Sequence, residues 1–182
     1  LREKFPEHAN LLNEYIVENI KEELSYTYCS TWHQGPQANK SYQLPDDSTI
    51  VLDDSLRKGS VELLFSPNQV NPSKYETYGI CGHLTRVIGA CEYNTRKDLF
   101  ANIVLSGGGT MTPTFKDRVR QEVDEFAPAA TLVGIISQKE RVHGSYVGAS
   151  ILTTLSTFPN LWFTSQEYED WGASGIHRKA FA

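Results

Sequence analysis

The run Asn102-Ile103-Val104-Leu105-Ser106-Gly107-Gly108-Gly109-Thr110-Met111 constrains this chain more than any other stretch. Its first four residues supply the apolar, β-branched run of an interior strand, and the three glycines lack the Cβ that keeps a ligand away from backbone N–H groups. Bare donors at the end of a strand suit an anion. After Pro113, Phe115, Val119, Val123 and Phe126 recur at helical spacing, so the loop is expected to feed a helix whose positive N-terminal end faces the same ligand. A glycine run taken alone is equally consistent with a tight strand-to-helix turn, and the rest of the chain has to decide.

A length of 182 residues with 40% apolar content suffices for a sizeable core in one or two domains. A formal charge of -5, with Lys and Arg interspersed among acids, leaves no basic stripe and argues against nucleic acid as a direct partner. Cys29, Cys81 and Cys91 have no C-x-x-C spacing, so neither a disulfide framework nor a zinc site is expected, and a reducing, intracellular compartment fits best. No stretch approaches the roughly 20 apolar residues of a membrane span. A soluble protein without a membrane partner is expected. The chain opens at Leu1 in the charged run Leu1-Arg-Glu-Lys-Phe-Pro, without a recognisable first element, and an upstream segment is expected to precede it.

Along the chain, Leu12, Ile16, Ile20 and Leu24 lie four apart, which predicts an amphipathic helix capped by Asn10, with Lys21 and Glu22 in its last turns. Ser25 to Trp32 reads as a strand entering a polar loop at Gly35-Pro36. Lys40 to Leu44 and Ser48 to Leu52 flank Pro45-Asp46-Asp47 and predict a hairpin. Leu63 to Pro67 reads as a loop anchor, and the Asn- and Pro-rich region to Ser73 as a connection between subdomains. Leu84, Val87, Ile88 and Cys91 predict a helix, and Thr95 is placed to cap a second one through Leu99 and Phe100. A strand over Thr131 to Ile136 and a helix over Ser145 to Leu155 complete an alternation that implies an α/β layer with helical crossovers.

Longer blocks carry more than periodicity. Arg96-Lys-Asp-Leu-Phe-Ala-Asn-Ile-Val-Leu-Ser-Gly-Gly-Gly-Thr-Met-Thr-Pro resembles the phosphate-loop region of actin, and the tail blocks Gly148-Ala-Ser-Ile-Leu-Thr-Thr-Leu-Ser-Thr-Phe, Gln166-Glu-Tyr-Glu and Gly175-Ile-His-Arg-Lys-Ala-Phe resemble its C-terminal end. Val17-Glu-Asn-Ile-Lys-Glu-Glu-Leu-Ser-Tyr and Lys40-Ser-Tyr-Gln-Leu-Pro-Asp match the same family in the same order. The resemblance implies half of an actin, Hsp70 and sugar-kinase-like (ribonuclease H-like) two-lobed ATPase fold of α/β class. Residues 1–76 would form part of subdomain 4, residues 77–143 part of subdomain 3 with the phosphate loop, and residues 144–182 the return to subdomain 1. It implies ATP or ADP as ligand, with Mg or Ca held mainly through the phosphates and the upstream half. Gly107, Gly108 and Gly109 would meet phosphates and ribose, Met111 the base, and Lys21 and Glu22 the adenosine side.

The same resemblance places no catalytic residue and no metal ligand in this part of the fold, so slow ATP hydrolysis is expected only together with the upstream half. It makes the face of Val147, Ile151, Leu152 and Leu155, with Leu161 beyond, a groove for partner helices and neighbouring protomers, where an apolar stripe otherwise means core. Departures from the family are Gly109 for a Thr, Thr112 for a Tyr and Val142 for a Lys, each lost base contact costing about 1–2 kcal/mol. The loop between Cys29 and Lys40 is short for the family, with Trp32 and His33 unusual in it. His143 and His177 have no nucleophile at dyad spacing, and Asp46-Asp47 and Asp53-Asp54 suit turns better than acid–base chemistry. The implied function is a cytoplasmic, cytoskeletal actin-family subunit of a filament or actin-related complex, with other protomers and complex subunits as partners. The alternative is a nonpolymerising actin-related scaffold, nuclear or cytoplasmic, with a weak nucleotide site.

Overall fold

A computed structural model of the chain describes residues 1–30, 38–69 and 78–179. Trp32 and His33, the Gly35-Pro36 loop, most of the connection to Ser73, and the last residues of the tail block lie outside the described residues. The chain divides into two compact units, Leu1–Val142 and His143–Ala182. The architecture is mixed helix and sheet.

The first unit opens with helix α1 (Glu14–Leu24), whose cap is Asn13 rather than Asn10: the Asn13 side chain accepts from Ile16 N–H at 2.9 Å. Leu12 is still fully buried, but from the turn before the helix. Strands β1 (Lys40–Gln43) and β2 (Thr49–Leu52) form the expected antiparallel hairpin, with Lys40 opposite Leu52 and Gln43 opposite Thr49. Its turn works as its residues require, since Asp46 accepts from Ser48 N–H and Asp47 takes φ 64°. Leu44, Ile50 and Leu52 close over Leu12, Ile16, Ile20 and Leu24 as one apolar cluster.

Residues 25–30, the described part of the stretch after α1, form no strand. Ser25, Tyr26 and Thr27 are buried in succession, a pattern without the alternation of a sheet face. Their backbone is held by other means: Thr27 N–H donates to Pro113 O at 3.0 Å, Thr27 O accepts from the Thr114 hydroxyl, and Gln121 Oε1 accepts from Ser30 N–H at 3.2 Å. Leu63 to Phe65 is likewise no loop anchor but the end of helix α2 (Asp54–Phe65), capped by Asp53.

Helices α3 (Ile80–Ala90) and α4 (Tyr93–Ala101) follow, α4 beginning two residues before Thr95, whose hydroxyl bonds back to Glu92 O at 2.8 Å. Strand β3 (Ile103–Val104) pairs in parallel with β4 (Ile135–Ile136) across helix α5 (Phe115–Phe126), the crossover expected from the sequence. Both strands are shorter than expected, and β3 is no interior strand, because Ile103 is buried while Val104 is 66% exposed. Phe115, Val119 and Val123 of α5 enter the second core with Val61, Phe65, Ile88 and Phe100, whereas Phe126 at the helix end faces outward.

The second unit contains α6 (Gly144–Thr154) and α7 (Ser165–Trp171). Thr164 caps α7 in a reciprocal pair with Glu167, and Lys179 returns to bond Glu167 and the Trp162 carbonyl. Gly175 is its one buried described residue, and a Cβ there would meet Phe163 and Trp171 below 3.0 Å.

Candidate functional site

The glycine run leaves β3 through Leu105, whose N–H donates to Ile136 O at 2.9 Å. Gly107 then takes φ 92°, a conformation that excludes most side chains, and the chain enters a 3-10 turn over Gly108–Met111. Turn closure runs through Gly107 O, which accepts from Thr110 N–H at 3.1 Å and from the Thr110 hydroxyl at 2.8 Å. Gly108 and Gly109 are exposed, and a Cβ on either would meet nothing within 4 Å. The run is therefore open to solvent and not packed into the core.

Helix α5 does not start directly on the glycines. Pro113 and a left-handed Thr114 intervene, and Phe115 N–H is taken by Thr112 O at 3.1 Å. The donors beside the glycines thus belong to the turn itself.

What faces the turn comes from α1 and α2. A small cleft of about 110 Å³ is lined by Gly109 and Thr112 on one side and by Lys21, Ser60, Val61, Leu63 and Leu64 on the other. Two of the sequence-expected positions, Lys21 and Gly109, are thereby brought to one place. Glu22 is exposed in the same helical turn as Lys21 but is not among the residues lining this cleft, and Met111 is 40% exposed at the end of the glycine turn. Val142 is 45% exposed and offers only methyl groups.

Arg141 carries no signal in the sequence alone. In Lys139-Glu140-Arg141 it looks like one charge in a solvated loop. Pairing of β3 with β4 carries it to the glycine turn, where Nε donates to the Thr110 hydroxyl at 3.0 Å and Nη2 to the Thr110 carbonyl at 2.7 Å. Its own carbonyl accepts Gly107 N–H at 2.8 Å. Only the strand pairing, invisible in a single sequence, reveals this contact.

A wider cleft of about 600 Å³ lies between α2 and α5, lined by Tyr28, Lys58, Glu62, Arg118, Glu122 and Glu125 among others. Arg118, Glu62 and Glu122 are engaged with one another. Arg118 donates to Glu62 at 2.8 Å, to Glu122 at 2.6 Å and to the Tyr28 carbonyl at 2.6 Å, and Lys58 lies 3.3 Å from Asp54. Burial opposes the charge on Arg118, but the hydrogen bonds to Glu122 and Glu62 outweigh it and raise the guanidinium above its ordinary range. This is a strut between helices.

The five apolar residues expected to form a partner groove, Val147, Ile151, Leu152, Leu155 and Leu161, are each 40% or more exposed in the second unit. Among the described residues no group of His, Cys, Asp and Glu is arranged to hold a metal, and no helix is long and apolar enough to cross a membrane. His143 ends a short turn beside α6 and His177 sits in the last turn of the described chain, both exposed. A family model described as Actin matches residues 5–181.

Proposed function

Because this chain belongs to the actin family, we propose that it supplies one wall of a nucleotide clamp, with ATP or ADP and a divalent cation as ligand. Members of this family generally bind that pair. The observation that carries the reading is the open glycine turn sharing a cleft with Lys21. Backbone donors that no Cβ shields suit phosphate oxygens, and Lys21 on the facing helix supports the adenosine side.

Exposed glycines and a lysine lining one cleft support such a ligand in chemistry. Gly107 to Gly109 would lie against phosphates and ribose, Met111 would cover one edge of the base, and Lys21 with Glu22 would reach the adenosine side. A bound nucleotide supplies a transferable phosphoryl group, whereas the residues of this chain bind and orient it. None is proposed to activate water, so turnover depends on the partner wall. Residues 1–76, 77–143 and 144–182 correspond in this reading to portions of subdomains 4, 3 and 1. Contacts made only when both walls grip the ligand would favour the closed state, which is how nucleotide state biases assembly with other actin-like protomers. The exposed face of α6, with Leu161, is proposed as the docking surface for such protomers or complex subunits, in a cytoskeletal, cytoplasmic setting.

Val142 and Thr112 favour a second reading, a nonpolymerising scaffold subunit with a weakened base pocket, nuclear or cytoplasmic. Sedimentation of the full-length protein with ATP and Mg²⁺ separates the two. A pellet above a critical concentration is the expected result. Persistent monomer with measurable nucleotide binding supports the scaffold, and the absence of any nucleotide binding overturns both.

A further inference from the structure

We propose that Arg141 is a positioning residue for the phosphate side of the site, acting through the glycine turn and through its own charge; the inference rests on the nucleotide reading above. Four contacts join Arg141 to the segment 106–110. Its carbonyl accepts the Gly107 N–H at 2.8 Å and the Ser106 hydroxyl at 3.4 Å, while its guanidinium donates to the Thr110 hydroxyl and carbonyl at 3.0 and 2.7 Å. A further donation, from Nη1 to Gln138 O at 2.9 Å, fixes the other edge of the plane to the β4 side.

This bracing adds to the turn's own bonds, from Thr110 to Gly107 O and from the Thr112 hydroxyl to Gly109 O, where side-chain packing gives nothing. Gly108 and Gly109 have no side chains and no neighbour within 4 Å of a Cβ position, and Gly107 occupies a conformation that only glycine adopts cheaply. Without the guanidinium, ordering the turn around a ligand would cost backbone entropy at the moment of binding. With it, that cost is met during folding.

The electrostatic contribution is separate. All three guanidinium bonds go to neutral acceptors, and among the described residues Arg141 takes part in no ion pair. Arg118, also half-buried, is by contrast neutralised by Glu62 and Glu122. A cation left uncompensated behind a backbone-lined turn favours a polyanion in front of it over a neutral nucleoside. Lysine at this position would keep the charge and lose the planar two-point grip on Thr110.

The test uses the full-length protein with Mg²⁺ and three probes: ATP, ADP and adenosine. Arg141→Gln is expected to weaken ATP by about tenfold, the scale of one charge-assisted contact, and ADP by less, with adenosine unchanged. Arg141→Lys is expected to fall between the two proteins for ATP. Amide hydrogen exchange over residues 106–111 is expected to quicken in both variants. Equal losses for ATP and adenosine, or unchanged ATP affinity while the unsubstituted protein binds, overturn the inference alone. Failure of the unsubstituted protein to bind any of the three overturns the nucleotide reading and this inference with it. If Arg141→Gln does not fold, the Arg141→Lys ratio of ATP to adenosine affinity decides.

Discussion

Asp53 caps α2 through its carboxylate: Oδ1 accepts from Leu56 N–H at 2.9 Å and from the Ser55 hydroxyl at 2.8 Å, and Oδ2 from Lys4 Nζ at 2.5 Å. The hydrogen bond from Lys4, then those from Leu56 and Ser55, hold its carboxyl at about 2. Because the folded value lies below the unfolded one of about 4, the stabilisation is present above that value and disappears as pH falls from about 4 toward 2. The thermal midpoint is expected to drop across this window, and Asp53→Asn, which still caps, is expected to flatten the drop; parallel profiles would refute the assignment. Arg57 works in the opposite environment. Buried to 6% exposure, it donates Nε to Leu24 O at 2.9 Å and Nη1 to Ala38 O at 2.6 Å, satisfying two carbonyls at once. It also occupies the face shared with Val61 and Phe65, and a charged residue at a core position is why the helical period of α2 was not legible in the sequence. Turn chemistry, by contrast, was legible at Pro45 to Ser48, because a Pro and an Asp act on their own neighbours and need no tertiary context.

Among the elements, α5 was the most legible. Phe115, Val119 and Val123 lie on one face four apart, and the structure buries all three to 3% exposure or less. Phe115 packs its ring 5.2 Å from that of Phe65, centroid to centroid, so the crossover helix and α2 share one core. Phe115→Ala is expected to lower the unfolding free energy of the full-length protein by about 3–5 kcal/mol in urea titration; a loss below 1 kcal/mol would show that α5 is not central to this core. The strands were less legible, because their lengths are fixed by partners. β3 and β4 pair over two residues each, and Gly134 beside them approaches Ala101 so closely that a Cβ would lie 2.0 Å from its carbonyl oxygen. The segment after α1 has strand-like composition, but its backbone bonds go to Pro113, Thr114 and Gln121, which no local pattern encodes.

For the molecule as a whole, family membership was readable from ordered blocks of sequence, and the Actin match over residues 5–181 establishes it. The candidate site was readable in part. Glycines announce an open backbone by their own chemistry, but Lys21 meets Gly109 only because α1 and the glycine turn fold onto one cleft, and Arg141 arrives only through strand pairing. The exposed apolar residues of α6 belong to a unit with almost no buried residue of its own among those described.

Gly108→Asp isolates phosphate binding at the glycine turn, since a Cβ at Gly108 has no neighbour within 4 Å and the substitution adds negative charge where an anion would sit. Calorimetric titration of ATP and Mg²⁺ into the full-length protein, beside the nucleotide-free thermal midpoint, is the direct measurement. ATP affinity is expected to fall by at least about tenfold in Gly108→Asp with the midpoint unchanged. Equal affinity in the two proteins would contradict it.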